Sequence, residues 1–147
     1  MALNPDRVGH RYPSYQYEIS REKVREYALV IGAEDGSCQS DEGDLPVPST
    51  FAACFTVSRG LAPMLSDDEL GAHPSVLHAS QEYDFHRPIK VGDVLRCTPW
   101  ITAIRSRRGL DFLTVQIDCL DATTGEPMVT SRGTLVFLSP GEDGGEA

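Results

Sequence analysis

Pro48-Ser49-Thr50-Phe51-Ala52-Ala53-Cys54-Phe55-Thr56-Val57-Ser58-Arg59-Gly60-Leu61-Ala62 is the stretch whose reading decides the fold. It opens with proline and two hydroxyl residues, then turns apolar. Ser49 or Thr50 is placed to cap the free N–H groups of a helix start. From Phe51 to Leu65 apolar residues fall on nearly every side, which is the pattern of a buried helix. A few turns are too short to span a bilayer. Pro63 is expected to end or kink the helix near Ala62. A single buried helix needs a surround, and the second half of the chain reads as strands. The expected fold is α+β, a curved antiparallel sheet wrapped around one central helix.

The chain has 147 residues, the size of one domain with a core that needs neither disulfide nor metal. Its net charge of −9 sets nucleic acid aside as a partner, because phosphate binding wants a basic surface. Part of the acidity lies in residues 140–147, which read as a disordered tail behind a domain of residues 1–139. Cys38, Cys54, Cys97 and Cys119 form no CxxC pair and read as reduced thiols. The first residues carry no apolar export segment, so the cytoplasm is the expected location.

Before the central helix, Tyr15 to Ile19 alternates as a short strand. Ser20 is a plausible N-cap, Val24, Tyr27, Ala28 and Ile31 form a helical stripe, and Gly32 ends it. Ala33 to Val47 is a polar, acidic loop of a length often reserved for function. After the central helix come four strand candidates: Leu77 to Phe85, Val94 to Ile104, Leu110 to Leu120 and Met128 to Leu138. Short turns between them predict an antiparallel meander, with Val91-Gly92-Asp93 turning the first strand into the second. Parity puts Leu77, Ala79, Gln81, Tyr83 and Phe85 toward the helix, and His78 and His86 on the opposite, polar face. Only a bulge would re-aim His78.

Several stretches carry a resemblance. Tyr17-Glu18-Ile19-Ser20-Arg21-Glu22-Lys23-Val24-Arg25-Glu26-Tyr27-Ala28 is similar to the opening of MaoC-like, FAS1-like dehydratase N-terminal domains. These include hydroxyacyl-ACP dehydratase A-type subunits. Val47-Pro48-Ser49-Thr50-Phe51 resembles that family's Ala-Pro-Pro-Thr-Phe entry to the central helix. His78-Ala79-Ser80-Gln81-Glu82-Tyr83, followed by Arg87-Pro88 and Gly92-Asp93, resembles its His-Gly-Glu-Gln…Arg-Pro…Gly-Asp segment. The match runs over about residues 8–138.

The resemblance implies a hot-dog fold and a protein that handles acyl thioesters of CoA or acyl carrier protein, without cofactor or metal. Catalytic members hydrate a 2-enoyl thioester or dehydrate the (3R)-hydroxyacyl form, using an Asp and a His in the loop after the first helix. One group moves the proton at C2 and the other serves the hydroxyl at C3. A backbone N–H at the helix start polarises the thioester carbonyl. The open sheet edge of such a fold implies a homodimer, or a heterodimer with a MaoC-like subunit.

This chain departs from the pattern in that loop, which holds Asp35 but no histidine. The chain is therefore either the non-catalytic, acyl-binding half of a heterodimer or an enzyme with another residue set. The candidate catalytic residues are Asp35, otherwise a turn residue, and His78, otherwise a solvated or dimer-contact histidine. Pro48, Ser49, Thr50, Phe51, Gln81 and Tyr83 are candidates for the substrate pocket, with capping and packing as their simpler roles. Arg107 and Arg108, with Arg105, either meet a CoA or carrier-protein phosphate or form a solvated turn. Cys38 sits among acids that oppose thiolate formation. Thioester hydrolysis by a water aimed from Asp35 or Glu34 is the alternative activity.

Overall fold

Strict two-residue alternation writes the centre of the sheet. The strand Leu110–Asp121 buries Asp111, Leu113, Val115, Ile117 and Cys119 and turns the residues between them outward. The computed structural model describes residues 3–32, 45–72 and 74–138. The loop with Glu34, Asp35 and Cys38, as well as the acidic tail, lies outside them. In chain order the strands are β1 (Tyr15–Glu18), β2 (Val76–Phe85), β3 (Val94–Arg107), β4 (Leu110–Asp121) and β5 (Pro127–Leu138). They form one antiparallel sheet of order β1-β3-β4-β5-β2. The helices are α1 (Arg21–Val30) and α2 (Ala52–Leu65), the latter entered through a 3-10 turn at Ser49–Phe51. None of the helices described is long and apolar enough to cross a membrane.

The meander is real for β3, β4 and β5 but does not include β2. That strand pairs with β5 at the far edge, not with β3. Alternation shows that a strand exists, and the connection decides its neighbour. Here the connection is pinned elsewhere: Gly92 N–H donates to the Ile19 carbonyl, and Ile19 N–H donates to the Asp93 carbonyl. Arg87 is held at 2.7 Å by Asp121. The β3–β4 turn needs left-handed backbone at both Arg108 (φ 51°) and Gly109 (φ 75°), which suits strand twist.

α1 starts as its sequence implies, with Ser20 Oγ accepting from Lys23 N–H. It buries Val24 and Ala28, while Ile31 is half-exposed. α2 lies on the sheet through Phe51, Ala52, Phe55, Thr56, Gly60 and Met64, all buried. Each large apolar member contributes about 1.5–3 kcal/mol. It is not enclosed all round, because Ser58, Ala62 and Leu65 face outward. One sheet covers one side of a cylinder, so an all-apolar helix still has an open side in the single chain. Nor does Pro63 end the helix near Ala62, since it runs on to Leu65. The carbonyl that loses its partner belongs to Arg59, an exposed residue.

The helix approaches the sheet closely at Gly60. A Cβ there would stand 2.3 Å from Ile117 Cδ1 and 3.2 Å from the Tyr15 hydroxyl, which itself donates to the Phe55 carbonyl. Cys97 and Cys119 face each other across β3 and β4, both buried, and with Cys54 they are free thiols. A hydrogen bond with Cys97, together with burial, pushes the Cys119 thiol well up.

The lead-in segment is tied down. Leu3 N–H donates to Asp111 at 2.9 Å, and Arg7 and the Tyr12 hydroxyl both donate to Asp67, at 2.8 and 2.6 Å. Burial works to raise the Asp67 carboxyl, but the bonds from Tyr12 and Arg7 and the Arg7 charge outweigh it, so its pKa falls below the ordinary 3.8.

Two outcomes are expected. Gly60→Val forces α2 off Ile117 and lowers stability by about 1–3 kcal/mol in denaturant unfolding. A carboxyl with a lowered native pKa stabilises above its unfolded pKa and loses that contribution as pH falls through the native one. Asp67→Asn is therefore less stable than wild type at pH 7, and the gap closes below about pH 4 in pH-resolved thermal unfolding.

Candidate active site

β2 carries one residue too many. Against β5, His78 pairs with Leu135, Ser80 with Thr134 and Gln81 with Gly133, which leaves Ala79 as a bulge. An inserted residue reverses parity beyond it. His78 therefore shares the helix-facing side with Gln81, Tyr83 and Phe85. This corrects the simple alternation that grouped it with His86 on the outer face. His86 stays outside, its Nε2 2.8 Å from Thr130 Oγ1, and Leu77 turns out to be 58% exposed.

The re-aimed face meets the start of α2. Ser49, Thr50, Ala53 and Val57 on the helix side, with His78, Gln81, Tyr83 and Phe85 on the strand side, line an open cleft of about 480 Å³. A second cavity, of about 410 Å³, adjoins it and is lined by Leu45 to Ser49, Phe85 and Pro88 to Lys90.

The hydrogen-bond roles around the cleft follow from donors and acceptors. Gln81 Nε2 lies 2.7 Å from Ser131 Oγ and 3.3 Å from the Glu82 carbonyl. A carbonyl only accepts, so that end of the amide is NH2, and Gln81 Oε1 faces His78 Nε2 at 3.1 Å. The imidazole therefore carries its neutral-form proton on Nε2 and keeps the lone pair on Nδ1, which has no partner among the described residues. Gly133 makes the arrangement possible, because a Cβ there would be 2.8 Å from Gln81 Oε1 and 3.4 Å from His78 Nε2.

Thr56 Oγ1 donates to the Ala52 carbonyl at 2.8 Å. The Tyr83 hydroxyl, 2.8 Å from the same Oγ1, must then donate to it and can only accept from the cleft. Burial raises the Tyr83 pKa, which keeps the phenol protonated. Tyr27 donates to Thr50 Oγ1 at 2.7 Å, so the Thr50 proton is free for another acceptor.

Ser49 and Thr50 do not cap the helix. Pro48 and Phe51 occupy the cap positions, and neither makes a side-chain cap bond. The 3-10 turn draws both hydroxyl residues into the helical path, where their side chains no longer reach the next amides. Ser49 consequently faces the cleft with no side-chain partner among the described residues, and the first amides of the turn lack intrahelical acceptors.

The other candidates disperse. Pro48 lines the second cavity. Phe51 is 1% exposed and packs with Tyr17, Tyr27 and Phe55, so it belongs to the core and not to the cleft. Arg107 and Arg108 stand at the β3–β4 hairpin, outside both cavities. Asp35 falls outside the described residues. No cluster of metal-ligating side chains occurs among those described. Sequence reading missed Thr56, Ser131, Tyr27 and Gly133. Of these, the glycine inside a strand carried a visible signal, since such a residue marks a close approach.

This architecture, one helix seated in a curved antiparallel sheet, is that of the hot-dog dehydratases. Residues 6–131 match the family described as "FAS1-like, dehydratase domain region", and the chain belongs to that family. A "UPF0336 protein" of Saccharopolyspora erythraea is 36% identical, over 97% of this chain and 96% of its own. One of Streptomyces coelicolor is 34% identical, over 92% and 95%. Among solved structures, a "MaoC-like dehydratase" superposes with TM-score 0.77 and 28% identity, over 91% of this chain and 43% of that longer one. The truncated HadBC (3R-hydroxyacyl-ACP dehydratase) complex of Mycobacterium tuberculosis gives TM-score 0.70 at 22% identity, over 86% and 92%, a likeness of fold.

If Gln81 sets the His78 tautomer, imidazole 15N spectra of the wild type show the Nε2–H form. Gln81→Leu, which removes the acceptor, gives a mixture of both tautomers while the backbone amide spectrum stays folded.

Proposed function

We propose that this chain is a (3R)-hydroxyacyl-thioester dehydratase, equivalently a 2-enoyl-thioester hydratase, or a subunit of one, acting on an acyl-CoA or acyl carrier protein thioester in the cytoplasm. The observation that carries the reading is His78, brought by a bulge to the cleft at the start of α2 in a chain of the dehydratase family.

Dehydration removes a proton from C2, expels the C3 hydroxyl and delivers a proton to it, releasing water. His78 Nδ1 is the unprotonated site available to take one of these protons. The thioester carbonyl gains charge as the C2 proton leaves, and the free amides and hydroxyls of Ser49 and Thr50 supply donors for it. Because Tyr83 only accepts, it orients the substrate hydroxyl and does not protonate it. The second proton-transfer group is Asp35 or a residue of a partner subunit.

A partner has room to bind. β2 is the sheet edge beyond β5, and α2 leaves Ser58, Ala62 and Leu65 exposed. The reading includes a dimer, homomeric or with a MaoC-like subunit, that covers this edge.

Crotonyl-CoA is the test substrate. Loss of the enone absorbance with 3-hydroxybutyryl-CoA as product is expected, and His78→Gln slows it at least about 10²-fold. Conversion that begins only when a MaoC-like subunit is added assigns the chain to the accessory half. Release of free CoA in place of hydration makes it a thioesterase, and an unchanged rate in His78→Gln removes the imidazole from the chemistry.

A further inference from the structure

Ser131 has one proton to spare. Its hydroxyl is 2% exposed and accepts from Gln81 Nε2 at 2.7 Å, and none of the described residues accepts its own proton. A buried hydroxyl proton without an acceptor is costly, and water supplies the acceptor where it has room. Beside Ser131, between α2 and the sheet, is a cavity of about 10 Å³, the space one water fills. Thr56, Gln81 and Ser131 are its polar walls, and Val57, Val115 and Ile117 are among its apolar ones. Across it, Thr56 Oγ1 donates to the Ala52 carbonyl and accepts from Tyr83, which leaves it one lone pair. A guest that accepts one proton and donates another fits between the two hydroxyls.

With a water there, the hydrogen bonds run in one direction. His78 Nε2–H donates to Gln81, Gln81 to Ser131, Ser131 to the water, the water to Thr56, and Thr56 to the helix backbone. Bonds aligned in this way polarise one another. Without the water, the nearest acceptor for the Ser131 proton is Gln81 itself. Donation there turns the amide over, presents its NH2 to His78 and moves the imidazole proton to Nδ1. The Glu82 carbonyl opposes that turn from 3.3 Å, a longer contact than the 2.7 Å bond to Ser131.

We propose that this cavity holds one structural water and that the water, with Ser131 and Thr56 as positioning residues, decides which nitrogen of His78 keeps the lone pair. It is not the water that hydration adds, because Gln81 and Val57 stand between this cavity and the cleft. The effect on turnover rests on the reading of His78 as the proton acceptor; the site of the water does not.

The test reads the full chain, in the assembly it forms in solution, by NMR. In wild type the Ile117 methyl groups show cross-relaxation with a long-lived water, and the imidazole 15N shifts report the Nε2–H form. Val115→Ile puts a methyl group into the cavity and leaves every hydrogen-bonding side chain in place. The water signal at Ile117 is expected to vanish, and the His78 population to move toward the Nδ1–H form. If that variant does not fold, Val57→Ile fills the cavity from the helix side and is read in the same way. Absence of the water signal in wild type overturns the proposal. So does an imidazole that stays in the Nε2–H form once the water is gone. Turnover of crotonyl-CoA that falls with the Nε2–H fraction upholds both the water and the catalytic imidazole. A tautomer switch with no change in turnover upholds the water and refutes the catalytic reading of His78 instead.

Discussion

Gly60 passes over Ile117 with no space for a side chain, and the position of α2 on the sheet follows from that approach. A helix seated this deeply brings its first turn level with β2, so the hydroxyls of Ser49 and Thr50 face His78, Gln81 and Tyr83 across the cleft. The same seating lets Tyr15 in β1 reach the Phe55 carbonyl and Tyr83 in β2 reach Thr56, one bond from each edge of the sheet to the helix. The aromatic cluster of Tyr17, Tyr27, Phe51 and Phe55 fills the space around the helix start and links α1 to it.

Around the cleft, polarity is allocated with few spare parts. Thr56 uses its proton on the helix backbone, which obliges Tyr83 to donate inward. Gln81 spends its amide protons on Ser131 and Glu82, which obliges His78 to donate through Nε2. What remains for a guest is one imidazole lone pair, the Ser49 and Thr50 hydroxyls and the first amides of the turn. That is a small, directional set beside a larger apolar surface, the usual makeup of a small-molecule site.

Much of the fold was legible because its signals are local. Period-two alternation marked β2, the short turns marked off β3, β4 and β5, Ser20 marked the start of α1, and the apolar run after Thr50 marked α2. The sheet order was not legible, because the pairing of β2 with β5 depends on where residues 87–93 dock and not on any pattern within β2. The open side of α2 was hidden for a similar reason: apolar content does not say whether a residue is covered by its own chain or left outside. The site was half legible. Gln81 and Tyr83 were placed on the correct face by counting, while His78 was misplaced because the count ignored Ala79. Thr56 and Ser131 read as ordinary helix and strand hydroxyls, since their roles come from partners distant in sequence.

The Ala79 bulge makes residue count, as well as residue type, decide which side chains line the cleft. Between the histidine and Tyr83 the spacing must be even for both to look inward on a regular strand, and it is five here, with one step absorbed by the kink. A relative that kept every letter of the motif but lost the kink would present the imidazole to bulk water. An aligned column of histidines therefore does not by itself say which of them face such a cleft; the hydrogen-bond ladder beside each one decides it.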